Sequence, residues 1–403
     1  MLQLINMRKS MRTNVDFWFL GAVLLLFLVG LIFVYSASYP TNLENGILGS
    51  GNFIRQLAFG VIGVVFMTIA IILKTDVLKK ISPVFYVLSI ILLIAVLFIG
   101  VEVNGNKAWI QLPGGFRFQP TEFAKISIVL TLAAVISIRP WSINGYKELL
   151  KFGPYFYMGI LAALILGQKD LGSLLVFGIA CLSIVGFAGA KRTLYIVPAA
   201  LLLILGTVFI LTGHRAGRVK AWFDPFSTSR EIVQYTYQPK NSLIAIGSGG
   251  WFGRGFTMSR QKWGFLPEPH NDYILAIIAE EVGFVGILIF IILPYGIIIY
   301  RGFLIAEKAR DTFSTLLAGG ATIMLAVQAL INMAVVTNLL PCIGITLPFI
   351  SYGGTSFVSS LVLAGLILNV SNNTNVSTTK RQEIYNKQRS VNDKGRSKTA
   401  VWK

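Results

Sequence analysis

Long apolar runs leave this chain few ways to fold. An α-helix needs roughly 20 apolar residues to cross about 30 Å of hydrocarbon. Ten candidate runs can be read along the chain, at residues 17–39, 53–73, 82–101, 121–138, 154–167, 172–189, 193–212, 271–300, 314–337 and 345–370. With 55% of the residues hydrophobic and 13% charged, polar surface is too scarce to cover a soluble body of 403 residues. The expected fold is all-α, a polytopic membrane protein of about ten transmembrane helices, of which the fifth run is the shortest.

Basic residues stay on the cytoplasmic side of short loops. Placing both termini in the cytoplasm puts 22 of the 35 Lys and Arg in inside segments, eight of them after residue 370. The chain then divides into a cytoplasmic N-terminus (1–16), a transmembrane domain (17–370) and a polar, basic tail (371–403) whose composition predicts disorder. One large outer loop, about 213–270, joins helices seven and eight. A net charge of +18 raises nucleic acid as a partner, but the basic residues are scattered without interleaved aromatics, and topology and anionic lipid account for them. Arg8, Lys9 and Arg12 before an apolar run ending in YSAS mimic a signal peptide; the run is too long for one, which favours a retained first helix. Cys181 and Cys342 have no evident reason to meet, so neither a disulfide nor a metal site is indicated.

Ionisable residues within membrane spans are costly and are candidates for function. FQPTEFAK opens the fourth run with Glu122 and Lys125 three apart on one helix face, either a packing ion pair or a substrate contact. GQKDLGS places Lys169 and Asp170 at a tight turn, where Asp170 suits a helix cap. FLPEPHNDYILAIIAEE gathers Glu268, His270, Asp272, Glu280 and Glu281. If the eighth helix is continuous from its Pro-rich corner, Glu280 and Glu281 lie about 12–14 Å below Asp272. Glu280 is then roughly 80° around the helix from Asp272 and Glu281 nearly opposite it, so the three cannot share one role. YQPKNSLIAIGSGGWFGRGF is rich in glycine and reads either as a backbone cradle for a lipid pyrophosphate or as a flexible re-entrant segment. NMAVVTNLLPCIGITLPFISYGGTS sets Pro and Gly in an apolar frame, the broken backbone that lines cavities in membrane proteins.

Taken in order, VYSAS, NGNKAWI, FQPTEFAK, QKDLGS, AWFDPF, YQPKNSLIAIGSGG, LPEPHNDYILAIIAEE and the final Pro/Gly-rich stretch resemble the SEDS family (FtsW, RodA, SpoVE) of bacterial cell-wall proteins over most of the chain. AWFDPF and SRQKWGFLPEPH lean toward its FtsW and SpoVE branch. The resemblance implies a peptidoglycan glycosyltransferase of the bacterial cytoplasmic membrane, for septal or other wall synthesis. Such an enzyme polymerises lipid II at the outer face beside a class B penicillin-binding transpeptidase and other divisome or elongasome proteins. Its essential aspartate matches Asp272, which suits a base taking the acceptor hydroxyl proton opposite a departing pyrophosphate. Lys125, Glu122, Arg117, Lys107, Arg254, His270, Glu281, Gln238 and Ser242 are the expected substrate contacts. No cluster has metal-ligand spacing, so no metal site is assigned; a divalent cation, Mg or Mn, is left open as a cofactor. Three positions depart from the family pattern: Lys169 stands where Pro is common, Ala108 where a second Arg is frequent, and Asn241 where Gln is frequent.

Two rival classes fit parts of the pattern. A lipid II flippase would also use ten helices, internal charges and broken backbone, but alternating access favours a site near the bilayer midplane. The polar residues here cluster at one end. A non-catalytic scaffold leaves Glu122, Lys125 and Glu281 without a purpose.

Overall fold

The computed structural model describes residues 15–44, 51–103, 106–113, 116–139, 153–200 and 216–373. The chain runs through α1 (Phe17–Glu44), α2 (Gly51–Ile72), α3 (Thr75–Ile99), strands β1 (Val101–Val103), β2 (Asn106–Gln111) and β3 (Arg117–Phe118), and α4 (Pro120–Ile138). It continues through α5 (Pro154–Gly167), α6 (Leu171–Phe187), α7 (192–200), α8 (Ala216–Phe223), α9 (Val233–Gly249), α10 (Ile274–Glu307), α11 (Thr312–Val336) and α12 (Gly354–Asn373). Among the described residues, seven helices are long and apolar enough to cross a membrane, and α5 and α6 are shorter apolar helices. The protein is an all-α polytopic membrane protein.

Local chemistry sets many of the boundaries. Pro120 and Pro154 stand at the first turns of α4 and α5, where a missing N–H costs nothing. Asp170 caps α6 by accepting from the Ser173 N–H at 3.0 Å, as its position in the sequence suggested, and Asp311 caps α11 through Ser314 in the same way. Helices α4, α11 and α12 are the most enclosed, while α2 and α3 turn much of their surface outward. α4 packs on α3 and α11, and α10 packs on α1 and α11. At one end of the bundle lie the strands, the α5–α6 turn, residues 216–272 and the stretch 338–353, joined by hydrogen bonds such as Lys107 N–H to Gln168 O and Tyr352 N–H to His270 O.

Several expectations need correction. The third helix starts at Thr75, not residue 82, and is followed by a small antiparallel sheet, β1-β2-β3, that the apolar pattern concealed. The described part of the 213–270 loop, from residue 216, is not simply loop, since it holds α8 and α9. Residues 345–353 of the tenth run are irregular, and the helix begins at Gly354 and ends at Asn373, three residues into the expected tail. The eighth helix starts at Ile274 and is discontinuous: Gly283 is non-helical (φ 70°, ψ −173°) and residues Leu288–Ile292 form a π turn. The seventh run beyond residue 200, the N-terminus before residue 15 and the tail after residue 373 lie outside the described residues.

The glycine-rich stretch after α9 is a packing surface. A Cβ on Gly249 would stand 2.0 Å from Ala279 O, and one on Gly253 (φ 79°) 2.2 Å from Glu281 O. These glycines let residues 249–255 lie directly against the α10 backbone. The expected contrast is between two neighbouring glycines. Gly253→Ala should destabilise the fold by about 2 kcal/mol or more, through positive φ and overlap. Gly247→Ala, in a helix with nothing within 4 Å of its Cβ, should be neutral or slightly stabilising. Thermal unfolding of the two detergent-solubilised variants measures the difference.

Candidate active site

A cavity of about 580 Å³ opens among α4, α6, β2, the turn before α10 and the stretch 338–353. Asp272 lines it, placed by the sequence that precedes the helix. Pro267 and Pro269 keep 267–270 non-helical, Glu268 takes a left-handed conformation (φ 44°), and Asn271 donates from its side chain to Glu268 Oε2 at 2.6 Å. Asp272 therefore sits just ahead of α10, at a turn. Its backbone carbonyl accepts from Asn332 Nδ2 of α11 at 2.8 Å, and the same amide donates to Ile345 O at 2.6 Å. Gly344 closes over the carboxylate, since a Cβ there would stand 3.3 Å from Asp272 Oδ2. Burial raises the Asp272 carboxyl to about 6; Glu268 and Asp170 add to the rise, and Arg218 opposes it.

The floor is a buried network on α4, α11 and α12. Lys125 Nζ donates to Glu122 Oε1 at 2.8 Å and to Gln328 Oε1 at 2.7 Å, while Ser359 Oγ donates to Glu122 Oε2 at 2.6 Å. Gln328 Nε2 continues to Thr346 O at 3.1 Å. The i, i+3 spacing read in FQPTEFAK thus forms an ion pair that also faces the cavity. Asp170 is held by its own helix and by Gln119 Nε2 at 3.0 Å. Arg55, Arg117 and Arg218 also line the cavity, and among the described residues none of the three pairs with a carboxylate. Arg218 is oriented by donating to Cys342 O at 3.4 Å, and its helix is fixed to the same stretch by Trp222 Nε1 donating to Asn338 O at 3.0 Å.

The expected site residues therefore separate into two groups. Asp272, Lys125, Glu122, Arg117 and Gln238 meet at the cavity. Lys107, Arg254, His270, Glu281 and Ser242 do not line it. Lys107 Nζ donates to the carbonyls of Leu97 and Phe98 at the end of α3, while Asn106, Ala108 and Trp109 of the same strand line the cavity. Ser242 Oγ donates to Val336 O at 2.6 Å. His270 is buried edge-on to the Tyr352 ring, and burial lowers its imidazole to about 4 against the pull of Glu268, leaving it neutral at pH 7. Glu281 accepts from Ser36 Oγ at 2.7 Å, Lys262 Nζ at 2.9 Å and the Thr257 N–H at 3.0 Å. Arg254 lies 3.7 Å from Glu280.

Sequence reasoning missed Arg55, Arg218 and Gln328. Arg55 at the start of the second run and Gln328 in the middle of the ninth were visible as polar residues in apolar frames. Arg218 carried no such signal. Among the described residues, no three His, Cys, Asp or Glu side chains gather as a metal site. Removing one member of the buried pair should be costly. Lys125→Ala leaves Glu122 an unpaired buried charge and should cost about 3–5 kcal/mol, while the double change Lys125→Met with Glu122→Gln should recover much of that loss in thermal unfolding.

Comparison with known proteins agrees with this architecture. The model of the FtsW/RodA/SpoVE family, described as "Cell cycle protein", matches residues 17–376. The probable peptidoglycan glycosyltransferase FtsW of Trichlorobacter lovleyi is 35% identical, over 91% of this chain and 95% of its own. Stage V sporulation protein E of Bacillus subtilis is 36% identical, over 89% of this chain and 98% of its own. A solved structure, described as "Structural coordination of polymerization and crosslinking by a peptidoglycan synthase complex", superposes with a TM-score of 0.71 at 26% identity, covering 89% of this chain and 97% of that one. From the helices to the cavity, this chain belongs to the FtsW/RodA/SpoVE family, the SEDS proteins.

Proposed function

We propose that the cavity is the polymerisation site for lipid II, with Asp272 as general base. The chain is a peptidoglycan glycosyltransferase of the SEDS family, a multi-pass protein of the cytoplasmic membrane. The observation that carries the site assignment is a carboxylate raised to about 6 in a cavity that also holds three arginines with no carboxylate partner among the described residues. A base poised near neutrality and cations facing it are what an inverting sugar transfer to a hydroxyl needs.

On this reading the 4-hydroxyl of the acceptor lipid II attacks the anomeric carbon of a strand held on its lipid pyrophosphate. Asp272 takes the hydroxyl proton as the new β-1,4 C–O bond forms. The bond from that carbon to the pyrophosphate oxygen breaks, and the electron pair leaves with the carrier. Arg55, Arg117 and Arg218 bind the departing anion. Lys125, held by Glu122 and Gln328, supplies a fourth positive charge, and Gln238 offers hydrogen bonds to sugar or peptide. His270, Glu281, Arg254, Ser242 and Lys107 act at one remove by fixing the backbone around the site. The active face is the outer one, and a class B penicillin-binding transpeptidase is the partner; the solved relative described as a complex of polymerisation and crosslinking supports that pairing.

The test is polymerisation of lipid II by the purified chain with its transpeptidase. Asp272→Asn should lower the rate by about 10²–10⁴-fold at unchanged expression and partner binding. Normal polymerisation by that variant would overturn the assignment, and translocation of lipid II in proteoliposomes without polymer would favour transport instead. Because the base works deprotonated, the wild-type rate should fall as pH drops through about 6. Arg218→Gln removes a cation that opposes the rise of the Asp272 carboxyl, so it should move that acid limb to higher pH, read from the rate profile.

A further inference from the structure

The segment from Gly250 to Phe265 is built opposite to a water-exposed loop, with its polar groups turned in and its apolar side chains turned out. Inward, Glu280 accepts from Ser259 Oγ at 2.5 Å and from the N–H groups of Arg260 and Gln261, and Lys262 pairs with Glu281 at 2.9 Å, both side chains being almost fully buried. Outward, Trp251 (68% exposed), Phe252 (83%), Phe256, Met258, Trp263 and Phe265 lie uncovered. Exposing side chains of this size to water forgoes the stabilisation that burying their apolar surface would give.

Where the segment lies is fixed by its hydrogen bonds. Arg254 N–H donates to Glu280 O at 2.9 Å and Gly255 N–H to Glu281 O at 3.0 Å, while the N–H groups of Phe284 and Val285 donate to Gly250 O at 2.9 Å and Trp251 O at 3.0 Å. Residues 250–255 are therefore level with residues 280–285 of α10. From Phe284 onward α10 carries an exposed apolar stripe of Leu288, Ile289, Ile292 and Leu293, the face that a membrane-spanning helix gives to acyl chains. Trp251 stands edge-on to Phe284, with ring centroids 5.4 Å apart, and so prolongs that stripe past the break at Gly283. Arg260, between Met258 and Trp263 in the sequence, is exposed as they are. Tryptophan and arginine above a continuous apolar stripe are the composition of a bilayer interface.

We propose that residues 250–265 are an interfacial anchor whose partner is the lipid bilayer, with Trp251, Phe252 and Phe256 entering the acyl-chain edge and Arg260 meeting lipid phosphate. The anchor grips α10 some 8–13 residues beyond Asp272, about 12–20 Å along the chain if helical. It thereby sets the height of the cavity mouth relative to the membrane surface, which decides whether a lipid-borne head group can reach it.

A nitroxide carried on an unnatural amino acid at position 252, in the full chain reconstituted in liposomes, tests this directly. Labels at Leu293 and Glu231 serve as lipid and water references. Power-saturation measurements should give an oxygen-to-nickel accessibility ratio at 252 that is at least about fivefold above that at 231 and below that at the deeper 293. A ratio like that at 231 would overturn the proposal and leave the aromatics as a surface for a protein partner. Inaccessibility to both reagents would overturn it in favour of burial against protein.

Discussion

Two adjacent carboxylates, Glu280 and Glu281, inside a helix that must cross a membrane are the constraint on which much of this structure depends. Neither can stay charged and unpaired at that depth. The chain answers with segment 250–265, which brings Lys262, Ser259 and the backbone N–H groups of Thr257, Arg260 and Gln261 to the pair, and with Ser36 from α1. Delivering them requires a backbone-to-backbone approach that only glycine permits, at Gly249, Gly253 and Gly283. The helix break at Gly283 and the inverted polarity of the segment thus share one electrostatic cause.

The cavity treats charge in the opposite way. Around Glu280 and Glu281 nearly every lone pair finds a donor from the protein. Around Asp272, Arg55, Arg117 and Arg218 have no carboxylate partner among the described residues, although carboxylates line the same space. Asp170 is occupied by its helix cap and by Gln119, and Glu122 by Lys125 and Ser359. The three arginines are thus left unneutralised in the enclosure that holds Asp272, an arrangement that costs stability and suits a ligand bringing both an anion and a proton to be removed.

Much of this was legible in the sequence, for physical reasons. Hydrocarbon thickness makes apolar runs readable, and Pro120, Pro154 and Asp170 mark helix starts through effects local to a few residues. Glu122 and Lys125 were legible as a pair because helical periodicity alone brings them together. Gly249 and Gly253 could not be interpreted locally, since what they accommodate is the α10 backbone, distant in sequence. Lys107 was expected at the site, but it stands on a strand that the apolar pattern concealed, and its amine is drawn to the carbonyls of Leu97 and Phe98. Arg218 comes to Asp272 only because Trp222 and Asn338 exchange hydrogen bonds across 116 residues of sequence, a contact that no local pattern announces.

Asp272 itself sits outside regular structure, between a Pro-rich turn and an irregular stretch, and that raises the question of what gives it a fixed position. Three neutral amides on rigid helices do much of it. Gln56 of α2 donates to Ser351 O, Gln328 of α11 to Thr346 O, and Asn332 of α11 to both Ile345 O and the carbonyl of Asp272. Tyr295 of α10 adds a hydroxyl donated to Pro348 O. Carbonyls of broken backbone near hydrocarbon must find donors within the protein, so the need to satisfy 345–351 also fixes the catalytic turn to α11. Neutral donors suit this task better than lysine or arginine would. They hold the backbone without adding a positive charge beside Asp272, which would draw its carboxyl down from about 6 and weaken it as a base.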